Sequence, residues 1–312
     1  MRASILVLGP LLARTGKAIV SLPGGCAIGT RPVDIHLKSL KKLGAVVSIE
    51  DGYIFAKAPK GLRGNKIIFP KISVGATANT LMASVLAKGI TEIVNPAKEP
   101  EIIDLGNCLK SMGAKIDGLG TNKIVIQGVS SLKESAYHVM YDRIETGTYA
   151  LATAITGGEI ELLGAKKEFL NSFLNVLESI GVKYFVTDKS IIFKRNSNIL
   201  YPVEVTTEPY PGFPTDLQAQ LMAVMSIANG VSLITENIFE NRFMHVPELI
   251  RMGANIKLKG NLAIVEGVKK LKGAEVMATD LRASVSLILA GLAAEEETNI
   301  GRVYHIYRGY QN

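Results

Sequence analysis

Apolar and polar positions along the chain repeat with a period of about 70 residues, the mark of a fold built from copies of one unit. One phase of the repeat is an amphipathic helix that closes on an apolar residue and a glycine. Two segments that alternate apolar and polar follow it. This phase reads LKKLGAVVSIEDGYIFA at 40–56, LKSMGAKIDGLGTNKIVIQG at 109–128, LESIGVKYFVTDKSIIFK at 177–194 and LIRMGANIKLKGNLAIVEG at 249–267. Gly44, Gly113, Gly181 and Gly253 stand where a helix needs a residue of positive φ to stop. The alternation after each predicts a pair of strands.

The other phase is a helix of small and apolar residues that leads into a strand. Copies are SVGATANTLMASVLAKGITEI, RIETGTYALATAITGGEIEL, FPTDLQAQLMAVMSIANGVSLI, LRASVSLILAGLAAEEETNI and, at the start, RASILVLGPLLARTGKAIVSL. Each is apolar nearly all round, which predicts a buried helix. The unit is therefore strand, helix, strand, helix and strand pair (βαβαββ), with five copies of the buried helix and four of the amphipathic one. Such units bury their faces only when complete. The chain starts inside one unit and stops inside another, so material is expected to be missing from both ends.

Composition narrows the class. Of the 312 residues 47% are apolar and 20% charged, which suits a soluble globular protein of two domains. A net charge of +7 and a pI near 9.2 favour anionic partners. The Lys and Arg residues are dispersed, which argues against nucleic acid. Two cysteines, Cys26 and Cys108, are too few for a disulfide framework and suit the reducing cytoplasm. The start, Met1-Arg2 with Ala3 to Ala13, has the basic and apolar character of a signal peptide, but the repeat makes it a core helix. No apolar run is long enough to span a membrane.

Several residues carry possible chemistry. Cys26 sits among Gly24, Gly25 and Gly29, on a flexible loop with Arg31 and His36 near in sequence. Positive neighbours lower a thiol pKa, although a lone cysteine is more often a buried one. Cys108, in DLGNCLKSMG, lies on an apolar helical stripe and reads as core packing. Asp216 follows Pro214-Thr215 at a helix start, where a carboxylate is favoured by the dipole in any case. Arg31, Arg242, Arg282 and Arg308 suit carboxylates and phosphates, because guanidinium forks bind them bidentately. KISVGAT at 71–77 reads as a helix N-terminus able to hold a phosphate. Asp142-Arg143 reads as a structural or hinge pair at the domain junction. The four histidines show no metal spacing, and no P-loop or GxGxxG is present, so no cofactor or metal is expected.

The motifs SLPGGCAIGTRPVDIH at 21–36, PGFPTDLQAQ at 211–220, ENRFMHVPEL at 240–249, ATDLRAS at 278–284 and HIYRGY at 305–310 occur in order along the chain. Together with the repeat they resemble the enolpyruvyl transferase family, specifically the UDP-N-acetylglucosamine 1-carboxyvinyltransferases. The resemblance implies an α/β fold, a two-domain inside-out α/β barrel, with residues 1–140 as the remainder of one barrel and 141–312 as most of the other. It implies phosphoenolpyruvate and UDP-N-acetylglucosamine as small-molecule substrates, with transfer of a carboxyvinyl group to the 3′-hydroxyl and release of phosphate. That is the first committed step of cytoplasmic peptidoglycan synthesis.

The resemblance also assigns roles. Cys26 would protonate or covalently add phosphoenolpyruvate and be alkylated by fosfomycin. Asp216 would be the base at the sugar hydroxyl. Arg31, Arg242, Arg282 and Arg308, with Asp280, would surround phosphoenolpyruvate. Arg2, Arg31, Pro32, Val33, Asp34, Ile35, Lys71, Ile72, Ser73, Val74, Asp216 and Ile238 would surround UDP-N-acetylglucosamine. The family's Lys-Asn segment and its last helix have no counterpart here, and Tyr307 stands where the family usually has Asp. On that ground the chain is expected to turn over poorly or to be an inactive remnant, or Met1 to be an internal start. The shikimate-pathway relative lacks the PGGC loop, so Cys26 argues against it.

Overall fold

The computed structural model describes residues 2–24 and 32–310, with side chains for all of them except Arg2, Ala3 and Arg308. The chain divides into two compact units, with the change from one to the other at Met140 and Tyr141.

The first unit opens with a 3₁₀ turn, Arg2–Val7, and continues as α1 (Leu8–Thr15), β1 (Lys17–Ser21), α2 (Asp34–Lys42), β2 (Val46–Glu50) and β3 (Tyr53–Lys57). A second copy runs β4 (Lys66–Ile68), α3 (Val74–Ser84), β5 (Ile90–Val94), α4 (Pro100–Ser111), β6 (Lys115–Asp117) and β7 (Lys123–Gln127). The sheet orders are β1-β3-β2 and β4-β5-β7-β6, with only the β4–β5 pair parallel.

The second unit runs α5 (Arg143–Thr156), β8 (Gly158–Leu163), α6 (Asn171–Ser179), β9 (Lys183–Val186) and β10 (Ser190–Arg195). Next come β11 (Glu204–Thr206), α7 (Gln218–Met225), β12 (Val231–Thr235), α8 (Val246–Arg251), β13 (Asn255–Lys259) and β14 (Leu262–Glu266). The last elements are β15 (Leu271–Lys272), β16 (Glu275–Met277), α9 (Leu281–Ala293), β17 (Ala294–Glu295), β18 (Asn299–Gly301) and a 3₁₀ turn, Val303–Arg308. The order β11-β12-β14-β13 repeats that of β4-β5-β7-β6, parallel pair included. The sequence period is thus a structural period.

The small-residue helices lie inside, and the sheets and the amphipathic helices, each with an exposed face, cover them. Helices α5, α7 and α9 pack on one another, and α1 packs on α3. All eight residues of α7 are buried, as the lack of a polar face requires. Small residues make this contact close: the Gly9 N–H donates to Asn79 Oδ1 at 2.7 Å, and a Cβ on Gly9 would stand 2.2 Å from that oxygen. Strands such as β5 and β12 alternate buried and exposed positions, one face on the helices. Each unit has its own core, the first around Leu8, Leu40, Ile54, Phe69 and Leu81, the second around Phe173, Phe193, Leu221, Met222 and Ile234.

The four marker glycines end α2, α4, α6 and α8 with φ of 96°, 99°, 98° and 91°. In each case the next residue's N–H returns to a carbonyl five residues back, Ala45 to Leu40, Ala114 to Leu109, Val182 to Leu177 and Ala254 to Leu249. This is the double closure of a Schellman cap, and a Cβ would oppose its left-handed residue. One expectation needs correcting. Cys108 is half-buried, because Ile102, Gly106 and Leu109 point into the core and Cys108 lies on the flank of that stripe.

Candidate active site

Asp216 lies in the 3₁₀ turn Thr215–Leu217, which runs directly into α7. Because α7 is wholly buried, the chain must reach the surface at its N-terminal end, and there it presents Asp216 with 42% of its side chain exposed. Arg242, buried to 5%, donates from Nη2 to Asp216 Oδ1 at 2.5 Å. Arg282 Nε stands 3.9 Å from the same oxygen. Desolvation raises the Asp216 pKa, but the charge of Arg242, then of Arg282, and after them of Arg143, outweighs it, so the carboxyl titrates below the usual carboxylate range. Burial lowers the Arg282 pKa while Asp216, Tyr310 and Asp142 raise it, and the net shift is upward.

Further groups hold these three. Arg242 Nη1 donates to Thr215 Oγ1 at 3.1 Å, and Thr215 donates in turn to Glu236 Oε2 at 2.8 Å. Glu236 Oε1 accepts from the backbone N–H groups of Ile238 at 2.9 Å and Phe239 at 3.1 Å. The Arg242 guanidinium lies 5.0 Å over the Phe239 ring. On the other side Arg282 Nη1 donates to Tyr310 Oη at 3.2 Å. Thr148 gives its one hydroxyl hydrogen to the Ile144 carbonyl, so Tyr310 is the donor in the 2.8 Å bond between the two hydroxyls. Gln220 Nε2 reaches both Thr148 Oγ1 and the Asp216 carbonyl. Asp280 caps α9, accepting from the backbone of Arg282 at 2.9 Å and Ala283 at 3.1 Å, and so fixes the root of Arg282. Asp142 caps α5 in the same way, accepting from Ile144 and Glu145.

The sequence reading singled out Asp216, Arg242, Arg282, Asp280 and Ile238, and the fold brings all five together. It passed over Thr215 and Tyr310, although both stand inside the quoted motifs, and over Glu236, Thr148 and Gln220. A glutamate ending the apolar strand VSLIT was the available signal for Glu236. Arg143, read as part of a structural pair, also contributes charge at Asp216 and lies 5.6 Å over the Tyr210 ring.

A second group gathers in the first unit at the starts of α2 and α3. Val33 is the N-cap of α2, Asp34 opens it and pairs with Lys38 at 3.3 Å, and Ile35 is buried. Lys71 and Ile72 lead to Ser73, whose hydroxyl caps α3 by accepting from the Ala76 N–H, and Val74 is the first helical residue. His36 joins the two helix starts. A Cβ on Gly75 would stand 3.2 Å from its ring. Asn79 Nδ2 meets His36 Nδ1 at 3.1 Å, and Asn79 also donates to the Ile5 carbonyl. The amide's orientation makes Nδ1 an acceptor, so His36 is neutral with its proton on Nε2. Pro32 precedes this group. Cys26 and Arg31, and the side chains of Arg2 and Arg308, lie outside the described residues.

Burial pushes the pKa of His36 down to about 4 from 6.5, against the opposing charge of Asp34. His245, fully enclosed beside Arg242 and Asp280, is likewise pushed down by burial to about 4. The unfolded chain takes up these protons near pH 6.5 and the folded chain only near pH 4. Stability is therefore complete above pH 6.5 and falls as the pH drops toward 4, by about 2 to 3 kcal/mol for each histidine. Urea titrations of the wild type and His36→Gln across this window check it. An unchanged slope in the variant would remove His36 from the account.

Among the described residues no cluster of His, Cys, Asp or Glu could hold a metal ion, and no helix is long and apolar enough to cross a membrane.

A family model described as EPSP synthase (3-phosphoshikimate 1-carboxyvinyltransferase) matches residues 1–312. A protein of Azorhizobium caulinodans named UDP-N-acetylglucosamine 1-carboxyvinyltransferase is 61% identical over 311 residues, which span all of this chain and 72% of that protein. One of the same name from Gluconacetobacter diazotrophicus is also 61% identical, with 74% of its length covered. Among solved structures, the enolpyruvyl transferase NikO from Streptomyces tendae aligns with a TM-score of 0.87 at 25% identity, covering 98% of this chain and 73% of that one. EPSP synthase from Acinetobacter baumannii aligns with a TM-score of 0.73 at 18% identity over 99% of this chain and 75% of its own, and supports the fold alone.

Proposed function

The chain belongs to the EPSP synthase family and, within it, to the UDP-N-acetylglucosamine 1-carboxyvinyltransferases, and from that premise we propose that it moves the enolpyruvyl group of phosphoenolpyruvate to the 3′-hydroxyl of UDP-N-acetylglucosamine. The observation that carries the reading is a carboxylate, Asp216, standing partly exposed between the guanidiniums of Arg242 and Arg282. Addition needs a base for the hydroxyl proton, cations for a carboxylate and a phosphate, and a proton for the methylene carbon.

In the first step the 3′-oxygen bonds to C2 of phosphoenolpyruvate, Asp216 takes the hydroxyl proton, and C3 gains one from Cys26. In the second step phosphate leaves C2 with the bonding pair, C3 returns a proton to the Cys26 thiolate, which restores the double bond, and Asp216 gives its proton up to solvent. Arg242 and Arg282, with Arg31 and Arg308, neutralise the phosphate and carboxylate. The starts of α2 and α3, with Arg2 and Ile238, hold the sugar nucleotide. The product would be a cytoplasmic precursor for peptidoglycan, and through it the protein would serve cell shape and division.

The test is phosphate release from phosphoenolpyruvate by the purified chain beside a version carrying the family's Lys-Asn segment, in which the faster turnover is expected. Release is expected to require UDP-N-acetylglucosamine and to be stopped by fosfomycin, with one adduct, on Cys26, found by mass spectrometry. Release that depends on 3-phosphoshikimate instead, or an adduct on Cys108, would overturn the assignment.

A further inference from the structure

Strand β12 ends at Thr235, and the next residue, Glu236, is 3% exposed. A buried carboxylate is costly unless every lone pair it presents is met. Here both oxygens are used, and both lead to the same side chain. Oε2 accepts from Thr215, whose oxygen accepts from Arg242 Nη1. Oε1 accepts from the Phe239 N–H, and the Phe239 ring lies 5.0 Å under the Arg242 guanidinium.

We infer that Glu236 is a positioning residue which fixes the Arg242 guanidinium for its anionic substrate, through Thr215 at the edge of the fork and through the Phe239 backbone at its face. The inference rests on the reading that Arg242 binds phosphoenolpyruvate. Asp216 grips Nη2 alone, and one contact leaves the planar guanidinium free to tilt on its aliphatic torsions and lowers what opposes the hindered turn about Nε–Cζ. The second contact at Nη1 and the ring beneath remove that freedom. Among the described residues Arg242 makes no further hydrogen bond, so its remaining N–H groups are left for an anion that reaches them, and their direction is set by the two contacts it has. Pre-set direction is what a binding site gains from a residue that never touches the ligand.

Glu236 also accepts from the Ile238 N–H at 2.9 Å, so its removal would disturb the turn at 237–239 as well. Thr215 separates the two effects. Thr215→Val removes the edge contact at constant volume and leaves the turn intact, while Thr215→Ser keeps the hydroxyl. Glu236→Gln is expected to raise KM for phosphoenolpyruvate about tenfold or more, which is about 1.4 kcal/mol. Thr215→Val should raise it about tenfold too, with KM for UDP-N-acetylglucosamine changed by less than about twofold, and Thr215→Ser should restore it. Freed from its edge contact, Arg242 would hold Asp216 less firmly, so the acid limb of the rate profile should move up in Thr215→Val.

Arg242→Ala in the same assay separates the inference from its premise. If the wild type turns over and Arg242→Ala does not lose phosphoenolpyruvate, the reading of Arg242 fails. If Arg242→Ala loses it but Thr215→Val keeps the wild-type KM, the positioning role fails. Nitrogen NMR of the arginine side chains tests the positioning without substrate. The two Nη signals of Arg242 should be distinct in the wild type and averaged in Thr215→Val, and distinct signals in both would overturn the inference.

Discussion

Replacing Asp216 with asparagine is expected to lower kcat about 10³-fold while leaving the affinity for UDP-N-acetylglucosamine within a few-fold of the wild type. Asparagine keeps the shape and can still accept a hydrogen bond from Arg242 Nη2, so the ring of contacts around the site should survive. What it cannot do is take a proton from a hydroxyl. The arginines make this effect easier to isolate. Asp216 and phosphoenolpyruvate compete for the positive charge of Arg242 and Arg282, so the variant should bind phosphoenolpyruvate no more weakly than the wild type. The depressed pKa has a further consequence. The carboxylate stays ionised, and able to act as a base, to a lower pH than an ordinary carboxylate, so the acid limb of kcat/KM should lie below the usual carboxylate range. A carboxylate so held is a weak base in the free protein. Binding of a multiply charged anion to the same guanidiniums offsets their charge and raises the basicity of Asp216 when the substrate is present. Stopped-flow turnover and calorimetric binding measured side by side would check this. A kcat within about threefold of the wild type would remove Asp216 from the proton transfer.

The parts of this arrangement that follow from local rules were legible in the sequence. A helix without a polar face has to be interior, and α7 is. A glycine closing an amphipathic helix marks a left-handed cap, and all four marker glycines adopt one. Asp216, Arg242 and Arg282 were found because each lies in a distinctive run of neighbours. Contacts that depend on how distant segments meet were not legible. Thr148 and Tyr310 are 162 positions apart, and Thr215 and Glu236 are 21 apart on different elements. Of these four only Glu236, a carboxylate at the end of an apolar strand, carries a local signal, and that signal does not say which side chains it meets. Cys108 was misjudged for a related reason. The stripe is real, but a residue at its margin can turn either way, and only the way α4 packs on the rest of its unit decides.

Gly128→Ala and Gly267→Ala are expected to be among the most destabilising single changes in the chain, each costing about 3 kcal/mol or more. The two glycines end equivalent runs, NKIVIQG and NLAIVEG, in the two complete repeats. In each the glycine N–H donates across to another glycine, Gly128 to Gly89 at 3.0 Å and Gly267 to Gly230 at 2.9 Å. The strand is thereby drawn against the turn that follows the buried helix. A Cβ on Gly128 would stand 1.6 Å from the Ala87 carbonyl oxygen, and one on Gly267 would stand 1.7 Å from that of Ala228. Non-bonded carbon needs about 3.5 Å, so the backbone itself must separate by nearly 2 Å. No flexible side chain is there to move instead. Opening this joint would break the neighbouring bonds from Val129 to Val85 and from Val268 to Ser226, which tie the strand end to the inner helix. Gly44→Ala provides the contrast. Nothing lies within 4 Å of its Cβ, and its φ of 96° costs only the strain of a left-handed residue, about 1 kcal/mol. Calorimetric melting should place the two crowded variants about 6 to 12 °C below the wild type and Gly44→Ala about 2 to 4 °C below it. If Gly128→Ala and Gly267→Ala melted with the wild type, the close approach of strand end to helix end would not be what holds each repeat shut.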